Sequence, residues 1–344
     1  MTRHAQSAMA AELGAAPDVV RAQPSLLREP LADLIKLFRH IPPHFVVTCA
    51  RGSSAHAATF GKHLIERHLG IPVAAAAPNI ATVYRRRMRL EGQLLLAISQ
   101  SGRSDDLTEF ALMARAAGAR TAAIVNDTAS PLANACEIVL PMAAGTENSV
   151  AATKSFIASL AVLLRLAAEW GDEEALRSAV ERLPDRLASA TGLDWSVALP
   201  ALSRAESLVT IGRGPTLAIA REAALKLKET CNIHAEAFSG AEFQHGPVAL
   251  VSPRYPIVLF MPGDEADAGL RQLMLDLRAK AALVFATDDD GPSSGSLPAL
   301  PRDQADADAV CLIQSFYALA VRIGEQRGTD IDRPRHLQKV TRTR

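Results

Sequence analysis

Ser99-Gln100-Ser101-Gly102-Arg103-Ser104-Asp105-Asp106 follows the apolar run Leu94–Ser99 and precedes a helical pattern. A loop of this kind, between a buried strand and a helix, offers free backbone N–H groups at the helix N-terminus, which attract anions. The hydroxyls of Ser99, Ser101 and Ser104 and the amide of Gln100 add donors, and Gly102 lets the backbone approach closely. Arg51-Gly52-Ser53-Ser54 ends an earlier apolar run in the same way, so Ser53 and Ser54 are candidates for the same anion. Serine is also a favoured helix N-cap, and each loop taken alone has that plainer reading. The first strand is not followed by GxGxxG, and GxxxxGK[ST] is absent, which argues against dinucleotide and nucleoside triphosphate binding.

Glu222, Lys226 and Glu229 recur at i, i+4 and i+7 and therefore share one helix face. Such a trio is ordinarily a solvated ion-pair stripe. A carboxylate held on a rigid helix is also suited to moving a proton between adjacent carbons. His245, in Gln244-His245-Gly246-Pro247, sits in a turn-like context where an imidazole is accessible for acid–base work near neutral pH. Lys339 follows Arg333-Pro334-Arg335 in a basic tail, a composition that usually marks a flexible end. Cys49, Cys136, Cys231 and Cys311 are scattered without CxxC spacing, and His, Cys and carboxylates do not cluster at ligand spacing; neither a metal nor another cofactor is expected.

These residues must be positioned by a chain of 344 residues, long enough for two domains. Lys plus Arg and Asp plus Glu each number 37, so the formal net charge is zero. That balance gives no global basic field for nucleic acid or anionic membrane, and a phosphate site must be local. The apolar runs break before the length of a membrane span and no signal-like apolar segment opens the chain, so a cytoplasmic protein is expected.

Apolar runs at 44–50, 71–77, 94–99, 120–125 and 137–141 alternate with helical patterns, including one over roughly 105–117. Long helical stretches follow at about 150–170 and 173–190, with a candidate linker around 191–196. Strand-like runs at 207–212, 256–261 and 281–286, with helical patterns at 216–230 and 309–326, repeat the arrangement after a period of ~150 residues. Asp288 to Gly295 reads as a surface loop. The fold class is therefore α/β with two tandem domains, each a parallel β-sheet flanked by helices in a flavodoxin- or Rossmann-like three-layer arrangement. The expected division is an N-terminal helical segment over 1–30, a first domain over 31–192 with the phosphate loops, a second over 193–330, and a tail over 331–344.

Several ordered motifs together resemble the sugar isomerase (SIS) family. They are Ser99-Gln-Ser-Gly102 after a strand, Gly145-Thr-Glu-Asn-Ser-Val-Ala-Ala-Thr-Lys154, Ala223-Ala-Leu-Lys-Leu-Lys-Glu229, Ile233-His-Ala-Glu-Ala-Phe238, Glu242-Phe-Gln-His-Gly-Pro-Val-Ala-Leu250 and Gly328-Thr-Asp-Ile-Asp-Arg-Pro-Arg-His-Leu-Gln-Lys339. Within the family the chain is similar to the isomerase half of glutamine–fructose-6-phosphate aminotransferases. It begins Met1-Thr2-Arg3 and reaches isomerase-like sequence within about ten residues, so a protein without the glutaminase domain is expected. The loop reads Arg103-Ser104 where the synthases usually have Glu-Thr, a form more like the glutaminase-less subgroup that includes isomerase-type glucosamine-6-phosphate deaminases.

The resemblance implies a phosphosugar ligand held by Ser53, Ser54, Ser99, Gln100, Ser101, Ser104, Val150 and Ala152. It implies Glu229 as the carboxylate that shuttles a proton between C1 and C2, with Lys226 beside it. It implies His245 as the ring-opening acid–base, contributed across a homodimer interface, and a tail that folds over the sugar and brings Lys339, a potential Schiff-base lysine. The implied activity is conversion of glucosamine 6-phosphate to fructose 6-phosphate and ammonia. One alternative is synthase-type aldose–ketose isomerisation with ammonia from another source. The other is a non-catalytic phosphosugar-binding regulator, which the joint presence of Glu229, His245 and Lys339 argues against.

Overall fold

The structure, a computed structural model, describes residues 7–288 and 295–339. Most of the Asp288–Gly295 loop and the last residues of the expected tail, 340–344, lie outside the described residues. The chain forms two compact units. One comprises Asp18–Glu147, Lys154–Glu181 and Gln338–Arg344; the other comprises Met1–Pro17, Asn148–Thr153 and Arg182–Leu337.

The elements of the first unit begin within α1 (Ala8–Leu37), whose first part belongs to the second unit, and continue through β1 (Val46–Ala50), α2 (Gly52–Leu69), β2 (Val73–Ala75) and the short α3 (Asn79–Thr82). β3 (Leu94–Ser99), α4 (Asp105–Ala116), β4 (Arg120–Val125), α5 (Pro131–Ala135), β5 (Ile138–Pro141) and α6 (Lys154–Trp170) follow, with the start of α7 (Glu174–Thr191). The five strands are all parallel in the order β2-β1-β3-β4-β5. β3 is buried at every position, as a central strand covered on both faces must be. Val47, Leu95, Ala97, Phe110, Ala111 and Leu132 pack in the core beneath α4 and α5.

The second unit adds a short helix α8 (Leu199–Leu202), then β6 (Ser207–Gly212), α9 (Thr216–Cys231), β7 (His234–Ser239), α10 (Gly240–Gln244), β8 (Pro256–Leu259), α11 (Asp267–Ala279), β9 (Leu283–Asp288), β10 (Ser296–Pro298) and α12 (Ala305–Arg327). Its parallel sheet has the order β10-β9-β8-β6-β7. Counted from its own first strand, that is the 2-1-3-4-5 order of the first sheet read from the other edge, so both units repeat one doubly wound topology. α12 is apolar and long enough to satisfy a membrane-span criterion, but most of it is buried against its own unit, chiefly α9. Among the described residues it is the one such helix.

Candidate functional site

In the first unit the strand order reverses between β1 and β3, the place where an open α/β sheet leaves a crevice beyond its strand ends. Both serine loops leave the sheet there, since Ala50 pairs with Ile98 at the ends of these adjacent strands. Arg51 is extended, Gly52 turns with φ of +54°, and Ser53 and Ser54 lie half-buried in the first turn of α2. Arg51 donates twice to Asp106 Oδ2, from Nε at 3.0 Å and Nη2 at 2.8 Å, and so ties the first loop to the start of α4.

The second loop is shaped by its own serines. Ser99 Oγ accepts from the Gly102 N–H at 3.1 Å, and Ser101 Oγ accepts from the Arg103 N–H at 3.3 Å. Gly102 has φ of +62°, and a Cβ there would meet Ser130 Oγ at 2.0 Å, so the turn excludes any side chain. Ser104 is the backbone N-cap of α4 but makes no side-chain cap, and α2 has none either. Ser130 and Ser239, by contrast, do cap their helices through Oγ. The capping explanation of the serine loops is thus weakened, because neither N-cap residue, Arg51 or Ser104, caps its helix through its side chain, and on α4 the Leu107 N–H is taken by Asp106 Oδ1 instead of a serine. Arg103 turns to Asp127 at 2.8 Å.

Lys339 also belongs to this unit, where its Nζ donates to Glu147 Oε2 at 2.8 Å. Glu147 is buried and also accepts from the Ser155 N–H at 3.1 Å and Oγ at 2.7 Å. Burial alone pushes its carboxyl up, but the Lys339 charge and hydrogen bond, with the Ser155 donors, outweigh it and hold Glu147 below the usual carboxylate range. Lys154 Nζ bonds the Thr146 carbonyl next door. The importance of Glu147 was missed in the sequence; it stands inside the quoted Gly145–Lys154 motif, and only its contact with Lys339 singles it out.

In the second unit α9 carries Glu222, Lys226 and Glu229 on one face, and the face is not a solvated stripe. Lys226 and Glu222 are fully buried, while Glu229 keeps 20% of its side chain exposed. The Lys226 ammonium lies 3.4 Å from Glu222 and in short contact with Glu229 Oε2. Tyr317 of α12 donates to Glu222 Oε1 at 3.1 Å, so a buried chain runs Tyr317–Glu222–Lys226–Glu229. Desolvation works to lower the lysine, but the two carboxylates outweigh it and hold Lys226 above the ordinary lysine range. Glu229 opens on a cavity of about 310 Å3 that Arg327, Asp330, Arg333 and Arg335 also line. Arg327 is spent on the carbonyls of Cys231, Ser203 and Ala205.

Val150 and Ala152 lie in the same unit, on the segment 148–153. Ser149 donates to the buried Glu12 from N and Oγ, and the Val150 N–H donates to the Asp332 carbonyl at 3.0 Å. The Asp332 carboxylate accepts from the N–H groups of Ala8 and Met9, capping α1 from the far end of the chain. Sequence spacing gave no sign of Glu12 or Asp332, because both act across long sequence separations. His245 ends α10, exposed, beside Gly246 at φ of +130°. Among the described residues its ring has no hydrogen bond to Lys226 or Glu229. The geometry thus groups Ser53, Ser54, Ser99, Gln100, Ser101 and Ser104 in one unit with Lys339, groups Lys226 with Glu229 in the other, and leaves His245 apart. No group of three or more His, Cys, Asp or Glu among the described residues is arranged to hold a metal.

Comparison with known proteins agrees with this architecture. Residues 42–168 and 201–294 match the SIS domain, one segment in each sheet region. The chain is 32% identical over 313 residues to glutamine–fructose-6-phosphate aminotransferase [isomerizing] of Caulobacter vibrioides, covering 86% of this chain and 51% of that protein. It therefore spans about half the length of the curated relatives it matches. Among solved structures, a protein of Silicibacter pomeroyi DSS-3, provisionally assigned as a phosphosugar isomerase, superposes with a TM-score of 0.90 at 40% identity, covering 95% of this chain and 100% of that one. Glucosamine-6-phosphate deaminase of Thermotoga maritima shares the fold, with a TM-score of 0.75 at 20% identity over 98% of this chain and all of that one. The resemblance read from the six motifs and the repeated doubly wound sheets have one source: the chain belongs to the SIS domain family.

Proposed function

We propose that the protein is an isomerising amino-sugar phosphate deaminase, acting on glucosamine 6-phosphate without metal or other cofactor. The observation that carries this reading is the half-buried Glu229 carboxylate on a rigid helix, paired with a buried ammonium and opening on a cavity. In the reaction the serine loops and the N-termini of α2 and α4 bind the 6-phosphate, with Val150 and Ala152 contacting the sugar. His245, contributed from the partner in a homodimer, moves a proton from the anomeric hydroxyl to the ring oxygen and opens the pyranose. Glu229 removes the C2 proton as C1 and O1 become enolate, and Lys226 stabilises the charge next to it. The proton returns to C1, O1 is protonated, and C2 becomes an imine. Water adds to C2, ammonia leaves, and fructose 6-phosphate remains. Schiff-base formation by Lys339 with an open-chain ketose would first break its pair with Glu147. The neutral overall charge supports a small-molecule substrate in the cytoplasm over a nucleic-acid or membrane partner.

The same groups run in reverse would aminate fructose 6-phosphate, and the aminotransferase names of the curated relatives favour that second reading. Incubation with glucosamine 6-phosphate in the absence of glutamine, with ammonia and fructose 6-phosphate measured, separates the two. The deaminase reading fails if neither product forms while the phosphosugar still binds. Glu229→Gln should reduce turnover by about 10²–10⁴-fold with binding retained; unchanged turnover would remove Glu229 from the shuttle.

A further inference from the structure

Arg165 interrupts a helix that is otherwise closed to water. From Lys154 to Ala168 every residue of α6 is buried except Arg165, and the stretch is dominated by Leu, Ala, Val and Ile. An arginine in such a stretch loses hydration, and desolvation accordingly pulls its guanidinium below the usual arginine range against the opposing effect of Glu181 and Glu169. Its Nε is buried with no hydrogen-bond acceptor among the described residues. A buried donor in this state is costly unless something completes it.

Arg165 faces a cavity of about 520 Å3 formed within the first unit by α1, α6 and α7. That volume lies within the range of about 300–1,000 Å3 usual for small-molecule pockets. Leu27, Leu31, Ile35, Ala168 and Val180 make an apolar wall, and Arg28 and Arg39 bring two further guanidinia to its rim. Neither the Arg28 nor the Arg39 side chain has a hydrogen bond or ion pair to another described residue. Arg177, also in the lining, is already engaged by Glu169, Asp172 and Glu174. Arg28, Arg39 and the unbonded Nε of Arg165 thus lie beside an apolar surface, with Glu181 and Glu169 the carboxylates whose charge acts on Arg165.

We propose that this groove is a second anion site, independent of the serine loops, which takes an organic phosphate with an apolar or planar body. The phosphate accepts from Arg165, Arg28 and Arg39 in charge-assisted hydrogen bonds, and the body lies on the Leu27–Leu31–Ile35 wall. The site rests on α1, α6 and α7 and does not depend on the reaction proposed above.

Trp170, on the last turn of α6, stacks on Phe38 at 5.5 Å beside the cavity and can report its occupancy. The other tryptophan, Trp195, is removed as Trp195→Phe in the full chain. Titration with inorganic pyrophosphate, as probe of the anionic end, should give a saturable change in Trp170 fluorescence. It should also raise the thermal unfolding temperature. Arg165→Met should weaken that response by about tenfold or more and leave turnover of the sugar unchanged. Ser101→Ala should leave the Trp170 response in place. The proposal is overturned if Arg165→Met responds as the parent does, or if Ser101→Ala abolishes the response, which would put the anion on the serine loop. Absence of a saturable response up to roughly 10 mM would overturn it too, as would a change of oligomeric state in Arg165→Met with no change in anion response.

Discussion

Each candidate catalytic lysine sits in an ion pair with a buried member, Lys226 with Glu222 and Glu229 and Lys339 with Glu147, and the two pairs respond to pH in opposite directions. Lys226, raised by Glu222 and Glu229, contributes stability that is fully present below the unfolded lysine value and lost only as pH rises through its folded value. Glu147 is the reverse case. Its carboxyl is depressed, so its contribution is present above the unfolded glutamate value and is lost as pH falls through the folded one. Glu147→Gln keeps the shape but leaves the Lys339 ammonium and the Ser155 donors with a weaker acceptor. It should cost roughly 2 kcal/mol near pH 7. The gap between parent and variant should close as the solution is acidified below the ordinary glutamate range. Urea unfolding at a series of pH values checks this; a gap that is the same at pH 7 and in acid would mean that Glu147 is not a stabilising carboxylate.

At the scale of elements, the strands legible in the sequence are those the sheets cover on both faces. The runs at 94–99, 120–125 and 207–212 coincide with β3, β4 and β6, because a strand buried on both sides must be continuously apolar. The edges were harder to read. β7, His234–Ser239, is legible only as a family motif, and just one of its six residues is fully buried, as suits the last strand of the order β10-β9-β8-β6-β7. The three-residue β10 at the other edge was missed for the same reason, and β2 proved shorter than its apolar run. The site follows a similar rule. Groups whose roles are local, the serine loops and the Glu222–Lys226–Glu229 spacing, could be read from the chain, whereas Glu12, Glu147, Tyr317 and Asp332 depend on partners far away in sequence. Gly102 joins the two kinds: local in the loop after β3, yet required by Ser130, the N-cap of α5. Gly102→Ala would place a Cβ in the left-handed region, costing about 1–2 kcal/mol, and drive it into Ser130 Oγ. Stability should fall by at least that amount, and sugar-phosphate affinity should fall with it, since the loop cannot keep its turn. Unchanged phosphosugar affinity in a folded Gly102→Ala protein would separate the loop from the phosphate.

Across the whole molecule, the cysteines offer a way to follow each core separately. Cys49 and Cys136 lie in the first unit, and Cys231 and Cys311 in the second; all four are free and buried. Burial is the leading cause that pushes Cys49, Cys136 and Cys311 up to about 12 and Cys231 up to about 11. At pH 8 the folded chain therefore presents neither thiolate nor access, and reagents that need a thiolate should leave it unmodified. Unfolding removes both protections together, so a pulse of thiol reagent marks the cores that are open at that moment. Cys49 and Cys136 share one packed cluster with Val47, Leu95 and Phe110. A unit that opens cooperatively should expose its two thiols at once. Pulse labelling through a urea series, read by intact mass, should show chains carrying zero, two or four labels, with one and three scarce. Peptide mapping should assign each doubly labelled species to Cys49 with Cys136 or to Cys231 with Cys311. Abundant singly labelled chains would mean that the cores open piecemeal, and that the repeated sheet is a unit of topology without being a unit of stability.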